Sequence, residues 1–209
     1  MKLENRRGMV KLISLIVSLC GVMVMIGWIF DIDFLKGLPA SWISMKFDTA
    51  VAFLLSGISL YFIVRTQEGE FDKAQVVISI TSLIIMLLMG ILFFSSIFRI
   101  QTGAEHLIFN EVPGGVKTVI PGRPSIPTMF SFILVAIAGV LSILHLKNIR
   151  TTLVIIGLFV GIIGASAVLG YIINAPYLYY YFEGVNSAMA FLTATLFALL
   201  GAGLICLYE

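Results

Sequence analysis

Charge is what this sequence has least of. Only 11% of its 209 residues are Asp, Glu, Lys or Arg, against about 25% in an ordinary soluble domain. Hydrophobic residues make up 60%, and the mean hydropathy is +1.09. Such a chain lacks the polar surface to face water all round. That excludes a soluble globular domain and points to an integral membrane protein, with the lipid bilayer as its first partner. The net charge of +2 is too small for a basic nucleic-acid-binding surface, so no nucleic acid partner is expected.

Cysteine and histidine are equally scarce. Cys20 and Cys206 both lie inside apolar runs. A structural disulfide or a zinc site needs paired or clustered thiols, so these read as buried, inert groups and no metal is expected. His106 and His145 fall on opposite sides of the membrane in the topology below and cannot ligate one haem. No H-E-x-x-H, Cys/His cluster or P-loop is present, and no Ser/His/Asp set falls on one face. Neither enzymatic activity nor a cofactor is expected. No Asp, Glu, Lys or Arg stands near the middle of an apolar run, which argues against an ion-coupled transporter or pump.

Long apolar runs are what the chain does have. Six are read as spanning helices: Val10 to Phe30, Asp48 to Val64, Ala74 to Phe98, Pro127 to Leu146, Thr151 to Asn174 and Asn186 to Tyr208. The first follows a basic stretch but lasts about 20 residues, enough to span. A signal-peptide core is about 7–15 residues, so this run is read as a retained helix. Of the 13 basic residues, eight fall at the inner face in this topology: Lys2, Arg6, Arg7, Lys11, Arg65, Lys73, Lys147 and Arg150. The other five, Lys36, Lys46, Arg99, Lys117 and Arg123, fall outside. The bias and the basic N-terminus predict a multi-pass plasma-membrane protein with both termini cytoplasmic. Trp28 and Trp42, and the tyrosines from Tyr177 to Tyr181, suit the interface.

The runs also repeat. Asp48-Thr49-x-x-Ala52-Phe53, Pro127-Thr128-x-x-Ser131-Phe132 and Asn186-Ser187-x-x-Ala190-Phe191 align as returning helices. Gly27-Trp28-Ile29-Phe30, Ser95-Ser96-Ile97-Phe98 and Gly170-Tyr171-Ile172-Ile173 align as the ends of outgoing ones. The fold class expected is all-α, with three helical hairpins (10–64, 74–146 and 151–208) in one membrane domain. The hairpins form a parallel repeat about an axis near the membrane normal, unlike an inverted-repeat transporter. Phe53, Phe132 and Phe191 are expected to pack at equivalent places.

Pro121-Gly122-Arg123-Pro124-Ser125-Ile126-Pro127-Thr128, together with Thr49-Ala50-Val51-Ala52-Phe53, resembles a P-G-R-M-S-P-N-T-A-L-x-F stretch. That stretch is found in MASE-like multi-span sensor domains of prokaryotes, which stand N-terminal to PAS, histidine kinase and diguanylate cyclase modules. Here Pro127 stands directly before Thr128, where the family has a polar residue. The resemblance implies signal transduction by a multi-span receptor domain, with the last helix leading to a cytoplasmic kinase or cyclase output. That output would be fused in a longer receptor or would be a separate partner; a second copy of the chain is a further candidate partner.

Function-specific residues are expected where the three hairpins differ. Candidate ligand contacts are Trp28, Arg99, Glu105, His106, Tyr171, Asn174 and Glu183. Arg99, Glu105 and His106, with Glu111 and Arg123, would build a polar pocket under the long outer segment 101–126. The alternative is a solvated loop with Arg99 reaching the headgroups. Asp48, Pro127 and Asn186 are read as helix caps in preference to ligand contacts. A second function class, an accessory subunit of a larger membrane complex, would use the Gly157-x-x-x-Gly161 face as its docking surface. A transporter or channel is the weakest reading.

Overall fold

The computed structural model describes residues 3–37, 43–100, 102–103, 109, 111, 118–144, 149–180 and 187–208. Lys2, Trp42, Glu105, His106, Lys117, His145, Lys147, Tyr181, Glu183 and Asn186 lie outside the described residues. Every regular element described is helical. In chain order they are α1 (Leu3–Ile29), the short α2 (Asp33–Lys36), α3 (Phe47–Gln67), α4 (Phe71–Phe98), α5 (Ile126–Ser142), α6 (Ile149–Ile172) and α7 (Phe191–Tyr208). A single 3-10 turn, Pro176–Leu178, follows α6.

Among the described residues α1, α3, α4 and α6 are long and apolar enough to cross a membrane. The apolar helices α5 and α7 are shorter than the runs expected to span. At 17 residues α5 is about 26 Å long, against a hydrocarbon core of about 30 Å. The shortening of α7 has a local cause. Residues 187–190 are not helical, because the Met189 N–H donates to the Tyr179 carbonyl at 2.8 Å and its own carbonyl accepts from the Tyr171 hydroxyl at 2.8 Å.

The helices close a ring: α1 touches α3, α3 touches α4, and so on through α5, α6 and α7 back to α1. The chain therefore has a mouth, where α1, α4 and α6 end and α3, α5 and α7 begin, and an opposite root. α3 is the central helix. In its most apolar stretch 67% of residues are buried, against 33–39% in α1, α4 and α6. Those outer helices present Leu15, Leu19, Ile80, Leu87, Phe94, Phe159 and Ile162 outward, as a lipid-facing surface requires.

Three helix ends at the mouth share one construction. The N–H groups of Ile32, Ile100 and Ala175 donate back to the carbonyls of Gly27, Ser95 and Gly170 at 2.8, 3.0 and 2.7 Å. The residue just before each donor is left-handed: Asp31, Arg99 and Asn174 have φ of 54°, 55° and 54°. This six-to-one bond satisfies carbonyls that would otherwise be orphaned at a helix end.

The centre is built by α3, α5 and α7. The rings of Phe53, Phe132 and Phe197 meet with centroids 4.7, 4.9 and 4.7 Å apart. Phe197 takes the place assigned from the sequence to Phe191, which instead packs on Tyr171 at 5.5 Å. The third helix is therefore displaced by six residues from the sequence alignment, and the common pattern is Thr-x-x-x-Phe-x-x-x-small: Thr49–Phe53–Gly57, Thr128–Phe132–Ala136 and Thr193–Phe197–Gly201. Small residues set the closest approaches. A Cβ on Gly201 would stand 2.5 Å from the Gly161 Cα, and one on Gly164 would stand 2.5 Å from the Ala198 nitrogen. Gly21 meets α3 in the same way, 2.7 Å from the Ala50 carbonyl oxygen.

Two pairs of variants, compared for stability in detergent, check this packing. Gly201→Ala should lower stability by about 1–3 kcal/mol, because backbone has to move. Gly90→Ala, whose Cβ would meet nothing within 4 Å, should be neutral or stabilising by up to about 1 kcal/mol. Phe197→Ala should cost on the order of 3 kcal/mol and Phe191→Ala distinctly less; equal losses would restore the original alignment.

Candidate functional site

At the mouth, the chain buries charges that composition makes rare. Lys46, Asp48, Glu111 and Arg123 are all less than a tenth exposed. Lys46 occupies the N-cap position of α3 and makes no capping bond. A cation there opposes the helix dipole and so demands a partner. The partner is Glu111, whose Oε1 lies 2.5 Å from the Lys46 Nζ. Nζ also donates to the Thr118 hydroxyl at 2.9 Å. Burial pulls the Lys46 ammonium below the usual lysine value, and the Glu111 carboxylate only partly restores it.

Glu111 is held from its other side by a turn. Gly122 adopts φ +74°, a conformation glycine takes at little cost. Its N–H then donates to the Glu111 Oε2 at 2.5 Å. Next to it, the buried Arg123 donates from its guanidinium to the Ile100 carbonyl at 3.0 Å, tying the turn to the end of α4. Ser125 then caps α5, its Oγ accepting from the Thr128 N–H at 3.3 Å and contacting the Thr128 hydroxyl at 2.7 Å. The Pro-Gly-Arg-Pro-Ser run thus clamps the outer segment at three points.

Aromatic rings wall this cluster. Phe109 stands between Trp28 and Phe47, with centroids 5.2 and 5.3 Å away. The Trp28 indole N–H donates to the Met45 carbonyl at 2.8 Å, and the Lys36 ammonium lies 4.9 Å from the Trp28 ring. Trp28, Phe47, Asp48, Phe109, Glu111 and Gly122 enclose a cavity of about 10 Å³, room for one water. A second cavity of the same size lies among Lys46, Thr49, Ser125, Thr128 and Thr193, at the start of the three central helices.

Of the residues singled out from the sequence, Trp28 lies in this cluster, as do Glu111 and Arg123. Arg99 and Asn174 do not join it; both are exposed at left-handed helix ends. Tyr171 is half-buried near the end of α6, stacked on Tyr179 at 4.0 Å. Two cap assignments need correction. Lys46 stands at the cap of α3, and Asp48 is the second helical residue, buried beside Glu111 and well placed for the dipole. The α5 cap is Ser125, with Pro127 in the first turn. Lys46 went unrecognised as a site residue; its signal was a lysine set against the dipole at the start of an apolar helix. Among the described residues no three His, Cys, Asp or Glu side chains gather in a metal-binding group.

The chain matches no family model, no curated protein and no solved structure. The chemistry of the cluster is electrostatic attachment: one carboxylate joins the outer segment to the head of the central helix.

Removing that carboxylate should be costly. Glu111→Ala leaves Lys46 buried without its counter-charge, and a loss of about 3–5 kcal/mol is expected in thermal or denaturant unfolding. The double variant Lys46→Met/Glu111→Leu should lose much less. Equal losses in the single and double variants would show that the pair is not coupled.

Proposed function

We propose that the chain is a membrane-embedded sensory module. An extracytoplasmic or intramembrane cue acts on the mouth, and α7 carries the response to a cytoplasmic output domain or partner of the kinase or cyclase class. Six helices cross the plasma membrane of a prokaryote as three parallel hairpins, with both termini inside. Arg6, Arg7, Lys11, Arg65, Lys73 and Arg150 all lie at the root, which supports a cytoplasmic root. The three matched helix ends and the three Thr-x-x-x-Phe-x-x-x-small helices support the parallel repeat.

The observation that carries this reading is the buried Lys46–Glu111 pair. It makes the position of α3 depend on the outer segment. Phe53, two turns into α3, touches Phe197 of α7 directly. A cue that competes for Glu111 or shifts its turn therefore has a packed route to the last helix, by the small helix shifts of about 1–2 Å known in switching proteins. The accessory-subunit reading loses the surface that motivated it, because Gly157, Gly161 and Gly164 all face α7 within the chain.

Cys206, half-buried near the end of α7, is a native reporter. In a Cys20→Ala background reconstituted in nanodiscs, Glu111→Gln should change the maleimide labelling rate at Cys206 by about 5-fold or more, the lower end of typical coupling between sites. An unchanged rate in a folded Glu111→Gln protein would sink the proposal.

A further inference from the structure

At the root, α1 and α3 leave a groove between them. It has a volume of about 510 Å³ and is lined by Lys11, Leu12, Leu15, Gly57, Ile58 and Phe62, among others. That volume lies within the range of small-ligand pockets, roughly 300–1,000 Å³. The groove forms beside the closest approach of the two helices, where a Cβ on Gly57 would stand 2.6 Å from the Ser14 carbonyl oxygen. Its walls are almost wholly apolar, and Leu12 and Leu15 are more than half exposed along it. In a chain of this composition that surface faces acyl chains, so the occupant comes from the bilayer.

The groove is polar at one end only. Lys11 stands at its lip, 2.8 Å from the Glu68 carboxylate. Lys11 and Arg65 flank the Tyr61 ring at 5.9 and 6.0 Å. Arg7 lies one turn before Lys11 on the same face of α1, by helical spacing. The charged groups near this rim are Arg7, Lys11 and Arg65 with Glu4, Glu68 and Glu70, and Arg65 is paired to Glu70. Among the described residues Lys11 is the one charged side chain that lines the groove itself, and the carboxylates stand outside its lining. One charged end and one apolar trough fit an amphiphile with a negative head.

We propose that this groove is a binding site for an anionic glycerophospholipid. One acyl chain lies along Leu12, Leu15, Ile58 and Phe62, and the phosphate sits against Lys11 and Arg7. Glu68 competes with the phosphate for Lys11. Anionic lipids at the cytoplasmic leaflet are drawn by such cations, and the trough adds apolar contact along the chain.

Native mass spectrometry of the purified full chain, with equimolar phosphatidylglycerol and phosphatidylcholine, reads the site directly. The wild type should retain one phosphatidylglycerol in preference to phosphatidylcholine. Lys11→Ala and Glu68→Gln break the same ion pair, yet they should act in opposite directions. Lys11→Ala should weaken phosphatidylglycerol retention by about 5-fold or more, and Glu68→Gln should strengthen it, since both act through one charge-assisted contact. Leu15→Trp, which fills the trough from an exposed position, should abolish retention of that lipid. Equal retention of the two lipids by the wild type would overturn the proposal. So would a change in the same direction for Lys11→Ala and Glu68→Gln, or full retention in Leu15→Trp.

Discussion

A lysine ammonium buried at the N-terminus of a helix has to be answered by a carboxylate, and Glu111 is the one that answers Lys46. Much of the mouth follows from that requirement. Glu111 stands 65 residues further along the chain, so it reaches Lys46 only if the outer segment folds back over α3. Its second oxygen then needs a donor, and the Gly122 N–H supplies one because the glycine turns left-handed. Arg123, next in line, anchors the same turn to α4. A salt bridge this deeply buried adds little net stability when intact, yet breaking one side of it is expensive. That asymmetry makes the pair a firm attachment of the outer turn to α3.

At the helix ends around the mouth, the constraint is satisfaction of the backbone. In an apolar surrounding each orphaned carbonyl at a helix end is costly. The chain meets this with the same six-to-one bond at Gly27, Ser95 and Gly170. It also accepts left-handed Asp31, Arg99 and Asn174, residues that are strained there to different degrees. Small residues bring backbones close where Gly57 meets α1 and Gly201 meets α6, and Phe53, Phe132 and Phe197 fill the space between the central helices. The same triad places α7 in contact with both α3 and α5.

Sequence patterns exposed some of this and concealed the rest for physical reasons. The ends of α1, α4 and α6 were legible, because a helix terminus is local and its residues recur in register. The start of α7 was not. Asn186 and Ser187 have the look of a cap, but Met189 is drawn into hydrogen bonds with Tyr179 and Tyr171, and these partners are distant enough in sequence to leave no local mark. The error moved the third phenylalanine from Phe191 to Phe197. Glu111 and Arg123 could be suspected as rare charges in a turn-rich segment. Lys46 could not be paired with either, since nothing in its own neighbourhood names a partner so remote. Asp48 read as a cap because its residue type is right for one; only the backbone puts Lys46 there instead.

The claim on which the account rests is that Glu111 holds the outer turn to the head of α3. Hydrogen–deuterium exchange at the Gly122 amide, in lipid nanodiscs, tests it most directly. The account predicts strong protection of that amide in the wild type and loss of protection in Lys46→Met, where Glu111 has no counter-charge to hold it in place. A Gly122 amide that exchanges as fast as an unstructured peptide in the wild type would contradict it.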